Sequence, residues 1–388
     1  MENRGIKLIL GVGGQDGQNL SNYLLDRGDK VVGVVRRSSQ PRRYLNPLIE
    51  KGLELIEGDG TDLSSLSTIF KKYRPEHIYA IFAQSHVATS FSQPLTTFDT
   101  TGKGILNVLE AMKSECPNAR MYNAASSEMF GSNYTMEIDY DQYSVPQHFN
   151  IKETKFIDLW MSNTFAPTEE DKWNEYNKWI KKGWEFSQPY QDESTPMSGN
   201  SPYGIAKLAA YQMTRLYRES YGLFCCSGIL FNHEGKYRSL TFVTRKITNY
   251  VSRLVISKKY NRPIEKLKLG NLDACRDWMD ARDAVRAMVL MLEADKPDDY
   301  VVGTGLTWSV KDFAEKAFNC INEDYKNHIE LDKSLIRPCE VDYLRAKPDK
   351  IKYKLGWKPE ITFDQMINDM VNFDIERTEK YYKMYGDI

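Results

Sequence analysis

The run IKLILGVGGQDG, residues 6–17, decides the fold of this chain. Five residues with the apolar character of a short buried strand lead into Gly11, Gly14 and Gly17. The helical spacing of Leu20, Tyr23 and Leu24 follows at once. Small residues between a strand and a helix let the backbone turn tightly and approach a pyrophosphate, and the free N–H groups at the helix start attract its charge. The pattern is not G-x-G-x-x-G, because position 16 is Asp; it is G-x-x-G-x-x-G. Gln15 and Asp16 stand inside the turn and join the three glycines as candidate dinucleotide contacts.

Outward from this turn the chain alternates. VVGVV (31–35), LELI (53–56), HIYAIFA (77–83) and ARMYNAAS (119–126) read as strands, with helical patterns such as Leu63, Leu66, Ile69 and Phe70 between them. Apolar runs separated by amphipathic helices predict parallel strands joined by crossover helices, an α/β doubly wound sheet of Rossmann type. The rhythm breaks over residues 132–200, where Trp160, Trp173, Trp179 and Trp184 crowd a charged segment. Within it PTEEDKWNEYNKWIKK reads as a helix capped by Thr168, with Trp173, Tyr176 and Ile180 on one face. That stripe is either local packing or a lid or subunit contact. Alternation resumes with a helix from about Pro202 and the strand LFCCSGILF (223–231). The expected division is a dinucleotide-binding domain over 1–235, carrying an aromatic insert at about 133–190. A smaller α/β substrate domain over 236–388 follows, with some segments returning to the first.

The totals set limits. A chain of 388 residues with 41% hydrophobic and 27% charged residues reads as a soluble globular protein of two intimate domains. A net charge of −1 excludes bulk attraction to nucleic acid or an anionic membrane. The six cysteines show no C-x-x-C spacing, so no metal site is expected, and Cys225 and Cys226 read as core thiols. With no long apolar span, and a glycine motif beginning at residue 11, the expectation is a cytoplasmic protein without a leader.

The end of the second strand speaks to the cofactor. A site for NAD usually has an acid there; this chain has Arg36, Arg37, Ser38 and Ser39, which suit a 2′-phosphate and hence NADP. Asp59, with Gly60, follows the third strand at the adenine edge, and Ala83, Gln84 and Ser85 follow the fourth beneath the cofactor riboses. The reacting groups come from two stretches. SPYGIAK holds Tyr203 and Lys207, an i, i+4 pair on one helix face, so the ammonium is placed to lower the phenol's pKa and to hold the nicotinamide ribose. Tyr343 and Lys347 match the same spacing but follow no suitable strand. YNAASSEMFG (122–131) brings Ser126 and, two residues on, Glu128. Tyr, Lys and Ser suffice for reversible oxidation of an alcohol. An added carboxylate is able to move a proton at the neighbouring carbon, which turns oxidation into loss of water.

These motifs together resemble the GDP-mannose 4,6-dehydratases, extended short-chain dehydrogenases/reductases. GVGGQDG, VVRRSS, AQSHV (83–87), SSEMFG, SPYGIAKL, GILFNHE (228–234), FVTRKI (242–247), LGNLDACRDW (269–278), RPCEVD (337–342) and LGWKP (355–359) carry the likeness over almost the whole chain. The resemblance implies an NADP-dependent hydro-lyase acting on a GDP-sugar. Ser126 stands where the family has a threonine, Glu128 and Tyr203 are the two bases, and Lys207, His233 and Arg238 touch the cofactor. Ser85, Asn232, Lys246, Arg276, Arg337 and Glu340 face the sugar nucleotide. It also implies a homo-oligomer, a dimer or tetramer, through the basic loop after the second strand.

Departures are local. The family's NHESPRRG reads NHEGKYRS here, with Lys236 and Tyr237; Thr241 and Thr96 replace an expected asparagine and tyrosine. The gap between Glu128 and Tyr203 is longer by about fifty residues, far beyond an ordinary loop. Its two ends lie near Glu128 and Tyr203, so the insert is expected to border the substrate pocket. Other readings stay open at this point: a larger GDP-sugar such as a GDP-heptose, a nucleotide-sugar decarboxylase or epimerase, or a silent cofactor-binding scaffold.

Overall fold

In a computed structural model the apolar runs lie side by side as parallel strands. It describes residues 5–38, 42–140, 143–150, 185–186, 188–335, 341 and 343–386, with backbone alone at 138–140, 143–150 and 185–186. The chain opens with β1 (Ile6–Leu10), α1 (Gln15–Asp26), β2 (Lys30–Val35), β3 (Glu54–Glu57), α2 (Leu63–Tyr73), β4 (His77–Ala80), α3 (Gly104–Glu115) and β5 (Arg120–Ser126). A hairpin of β6 (Asn133–Tyr140) and β7 (Tyr143–Asn150) follows, joined by β8 (Glu185–Phe186). Then come α4 (Pro202–Tyr221), β9 (Phe224–Leu230), β10 (Asn232–Glu234), α5 (Val243–Lys259), β11 (Leu267–Leu269), β12 (Cys275–Arg276), β13 (Trp278–Asp280), α6 (Ala281–Glu293), β14 (Asp299–Val302), α7 (Val310–Asn319) and α8 (Phe363–Tyr385).

The main sheet has seven strands in the order β14-β9-β5-β4-β1-β2-β3, all parallel. The chain winds outward from β1 in one direction and then, from β4, in the other. That reversal opens a crevice at the carboxyl ends of β1 and β4, the place where such sheets bind ligands. Both faces of the sheet are buried. Leu8 and Leu10 sit in the apolar cluster on one side and Ile9 in the cluster on the other, and Val32 and Val34 oppose Val31 and Val35 in the same way. Each fully buried aliphatic side chain contributes roughly 1.5–3 kcal/mol, which explains why these strands are apolar throughout rather than alternating.

The expected strands are all present, but β14 was not foreseen. It adds to the edge of β9, where the Asp299 carboxylate accepts from Ser227 N at 2.9 Å and from both Arg218 guanidinium nitrogens at 2.9 and 2.7 Å. A separate apolar cluster lies among α5, α7 and α8, with Trp278, Phe313 and Phe318 buried in it. Buried Arg245 on α5 donates to Asp374 on α8, and Thr248 donates to the other oxygen of the same carboxylate at 2.7 Å. The helix expected over PTEEDKWNEYNKWIKK, and with it the aromatic stripe, lies outside the described residues.

Each of the five described cysteines is a free thiol, with Cys225 and Cys226 buried. Among the described residues no helix is long and apolar enough to cross a membrane. None of their His, Cys, Asp and Glu side chains gather in threes to hold a metal ion.

Candidate active site

The crevice is a cavity of about 540 Å³ lined by residues from β1, β2, β5, α4 and β9 and from the region after β9. Its floor is the glycine turn. Gly11 has φ +99, a left-handed value suited to glycine. A Cβ on Gly17 would lie 2.5 Å from Val12 Cα and 2.6 Å from the Gly11 oxygen, so only glycine lets α1 press against the turn. Gly14 differs: a Cβ there would meet nothing nearer than the Gly11 oxygen at 3.5 Å. Gly14 is the N-cap of α1 and offers no side-chain cap, so the first N–H groups of the helix face the cavity uncapped. Gln15 Oε1, on the cavity wall, is buried with no hydrogen-bond partner among the described residues. An uncapped helix start, an open glycine and an orphaned acceptor fit a dinucleotide phosphate with its ribose hydroxyls.

Phe82 explains two further glycines and adds a second reason for Gly11. Its ring or backbone occupies the space that a Cβ on Gly11, Gly60 or Gly104 would need, at 2.9, 2.4 and 2.8 Å. Gly60 therefore reaches the cavity wall for a packing reason as well.

The chemistry-bearing groups converge on one side. Ser126 ends β5 and accepts a hydrogen bond from Glu128 N at 3.3 Å, a short turn that sets Glu128 beside it. Helix α4 starts against the same turn. Ser201 caps it by accepting from Gly204 N at 3.0 Å, and a Cβ on Gly204 would lie 2.6 Å from the Glu128 carbonyl oxygen. That close approach brings Tyr203 beside Ser126, whose hydroxyl favours the ionised phenol. One turn on, buried Lys207 donates to the Ala124 carbonyl at 2.5 Å, and its ammonium lies 5.8 Å from the Tyr203 ring centre.

Burial dominates the ionisation of both groups. It pushes the Tyr203 phenol up to about 12, with the Ser126 hydrogen bond opposing and the Glu128 charge adding to the rise. It pulls the Lys207 ammonium down to about 8, with the charge of Asp16 opposing. The expected lowering of the phenol by Lys207 is thus not the dominant effect; desolvation of both side chains outweighs it.

Opposite them stands a charged cluster. Burial disfavours the charge of Asp16, yet the facing His233 and Arg238 bring its pKa below the ordinary 3.8. Burial likewise opposes the His233 charge, and Asp16 still raises it above the ordinary 6.5. Gln15 Nε2 donates to the His233 carbonyl at 2.9 Å and ties α1 to β10. The Arg238 guanidinium lies 3.6 Å from the Phe242 ring centre and 3.2 Å from Glu234, an ion pair without hydrogen-bond alignment.

Of the residues singled out by sequence, Gly11, Gly14, Gln15, Asp16, Gly17, Arg36, Asp59, Gly60, Ala83, Ser85, Ser126, Glu128, Tyr203, Lys207, Asn232, His233, Arg238 and Arg276 line this one cavity. Arg37, Ser38, Gln84 and Lys246 do not. Gln84 turns aside and donates to the His86 carbonyl at 3.1 Å. Lys246 is exposed because its neighbours Arg245 and Ile247 take the buried face of α5, and adjacent helix positions do not share a face. Ser39, Arg337 and Glu340 lie outside the described residues.

Sequence reasoning missed Arg42 and Tyr44, which also line the cavity. Arg42 folds back to donate to the Arg36 carbonyl at 2.5 Å, and a Cβ on Gly13 would lie 2.8 Å from the Tyr44 hydroxyl. The basic run RRSSQPRR, which ends on Arg42 and Arg43, is the signal the sequence holds for the first of them.

Comparison with known proteins agrees with this geometry. A family model described as GDP-mannose 4,6 dehydratase matches residues 8–148 and 185–370, leaving out a stretch that falls within the insert. GDP-mannose 4,6 dehydratase 1 of Arabidopsis thaliana is 38% identical over 97% of this chain and 91% of its own length. Among solved structures, the dTDP-glucose 4,6-dehydratase DesIV of Streptomyces venezuelae, with NAD bound, superposes with a TM-score of 0.74. It is 18% identical and covers 97% of this chain and 98% of its own. RMD of Pseudomonas aeruginosa, complexed with NADPH, gives a TM-score of 0.66 at 18% identity over 96% and 99%. The structural matches establish the Rossmann-type fold, and the family match with the identity over nearly the full length establishes that the chain belongs to the GDP-mannose 4,6-dehydratase family.

Proposed function

We propose that this chain converts GDP-mannose to GDP-4-keto-6-deoxy-mannose by loss of water, with NADP as a recycled cofactor. The observation that carries the reading is the convergence of Ser126, Glu128, Tyr203 and Lys207 on the cavity floored by the glycine turn. Gly11, Gly14, Gly17 and the start of α1 hold the pyrophosphate. Arg36, without an acid beside it on Arg37 or Ser38, takes the 2′-phosphate, and Lys207, His233 and Arg238 surround the nicotinamide end.

Bound NADP supplies the hydride acceptor for oxidation at C4 and the hydride returned to C6. The remaining work falls to the protein. Tyr203, beside Ser126, removes the C4 hydroxyl proton, and the Lys207 ammonium stabilises the phenolate that forms. The C4 ketone acidifies the proton on C5. Glu128 takes that proton and delivers it to the C6 hydroxyl, which departs as water. The proton held by Tyr203 returns to C5, so the sum is the loss of one water. Arg276 and Asn232, on the substrate side of the cavity, bind the nucleotide.

The test is incubation of the whole protein with GDP-mannose and substoichiometric NADP. The product is expected to be lighter by about 18 Da, one water, with no net NADPH formed. Unchanged GDP-mannose from protein that binds NADPH would remove GDP-mannose as the substrate. Tighter binding of NADH than of NADPH would remove the 2′-phosphate reading of Arg36.

A further inference from the structure

The turn that carries Arg238 is held from below by a residue with no place in the cavity. Gly235 O accepts from Arg238 N at 3.0 Å and closes the turn. Arg245, only 1% exposed, sends one guanidinium nitrogen, Nη1, to the carbonyls of Gly235, Lys236 and Arg238, the last at 3.0 Å. Its other terminal nitrogen, Nη2, is fixed by the fully buried Asp374 of α8. These contacts reach backbone oxygens, so they hold the turn whatever side chains stand at Lys236 and Tyr237, where this chain departs from its family's pattern.

The same end of α5 supplies the other supports. Phe242 lies under the Arg238 guanidinium, and Thr244 donates to Glu234 Oε2 at 2.6 Å, the oxygen that faces Arg238. Arg238, Glu234 and the turn are thus all registered on α5, and α5 is registered on α8 through Arg245 and Thr248 to Asp374.

We propose that Arg245, anchored by Asp374, is a positioning residue that sets the turn presenting Arg238 to the dinucleotide. The inference rests on the reading of Arg238 as a cofactor contact. Lysine at 245 keeps the charge but not the planar fork that reaches three carbonyls and a carboxylate at once. Asparagine at 374 keeps the shape and removes the charge that orients the guanidinium.

The experiment measures NADPH affinity by titration calorimetry on the full chain, with the urea midpoint of each variant alongside. Arg238→Ala, Arg245→Lys, Asp374→Asn and the Arg238→Ala/Arg245→Lys double variant are compared. Arg238→Ala and Arg245→Lys are each expected to weaken NADPH by about tenfold. The double variant is expected to be no weaker than Arg238→Ala alone, because a residue acting through another adds nothing once the other is gone. Wild-type affinity in Arg245→Lys, with only the urea midpoint lowered, would overturn the proposal, as would losses that multiply in the double variant. If Arg245→Lys does not fold, Asp374→Asn replaces it in the same comparison. Unchanged affinity in Arg238→Ala would instead remove Arg238 as a cofactor contact. A loss in Arg238→Ala with Arg245→Lys silent overturns only the role of Arg245.

Discussion

His233 Nε2 lies 3.0 Å from Asp16 Oδ2, while His233 Nδ1 lies 2.8 Å from the Phe231 carbonyl oxygen. Both partners are acceptors, and only the imidazolium donates from both nitrogens. The histidine is therefore held charged, joining the glycine turn of α1 to β10. Because the folded pKa of His233 is raised above 6.5, its stabilising contribution is complete below that value and is lost as pH rises through the folded pKa. Because that of Asp16 is lowered below 3.8, its contribution is present above that value and is lost as pH falls through the folded pKa.

The pair thus stabilises most between pH 3.8 and pH 6.5. Asp16→Asn is expected to cost on the order of 1–3 kcal/mol in that window and progressively less above it. Urea titrations of both proteins across pH check this. A stability difference independent of pH would mean that the histidine is neutral.

Lys207 gives the opposite sign. Its folded pKa of about 8 lies below the ordinary 10.5, so the unfolded chain binds more protons between those values. Folding of the ligand-free protein is penalised below pH 8 and recovers as pH rises. Lys207→Met should therefore raise the melting temperature at neutral pH, even though the Ala124 carbonyl loses its donor, and should abolish turnover. A melting temperature that falls in the variant would show that the hydrogen bond outweighs desolvation.

The two central glycines of the turn should separate folding from binding. Gly17→Ala puts a methyl within 2.6 Å of backbone atoms that have no room to move, and should destabilise by roughly 1–3 kcal/mol. Gly14→Ala meets only the Gly11 oxygen at 3.5 Å and should fold as wild type, yet lose dinucleotide affinity, since the methyl would stand in the path proposed for the phosphate. Melting curves with and without NADPH distinguish the two. Equal ligand-induced shifts in Gly14→Ala and wild type would place the phosphate elsewhere.

Glu128→Gln should bind NADPH and GDP-mannose but lose water elimination by about 100-fold or more, the scale of one acid–base group. The Glu128 charge also raises the Tyr203 phenol, so the variant's phenol should titrate lower than the wild type's. Mass spectrometry of the product and ultraviolet titration of the tyrosinate check both. Full turnover would exclude Glu128 from the proton transfer.

The sheet was legible because parallel strands buried on both faces read as plain apolar runs, as IKLIL and VVGVV do. Strand β14 escaped because DYVV is four residues long and follows a run of acids around Pro297, so its place beside β9 depends on Arg218 and Ser227 far away in sequence. In the site, Ser126 and Tyr203 were legible through their local motifs. Lys246 and Arg245 show the limit: a one-residue step on α5 separates an exposed lysine from a buried arginine, and only the packing of α8 says which faces inward. Arg42 and Tyr44 were hidden because single contacts, Arg42 to the Arg36 carbonyl and the Tyr44 hydroxyl beside Gly13, rather than periodicity, set them at the cavity.

The late arrival of β14 bears on synthesis. A ribosome must release the chain beyond Val302 before the sheet can close, so a nascent product that stops at residue 235 leaves the flank of β9 as an open edge of backbone groups. The Arg218 guanidinium and the Ser227 amide then wait without their carboxylate. Recombinant fragments cut between α5 and α6 are expected to aggregate, and adding the missing half in trans should protect them, since the C-terminal piece brings β14 to the sheet that the N-terminal piece builds.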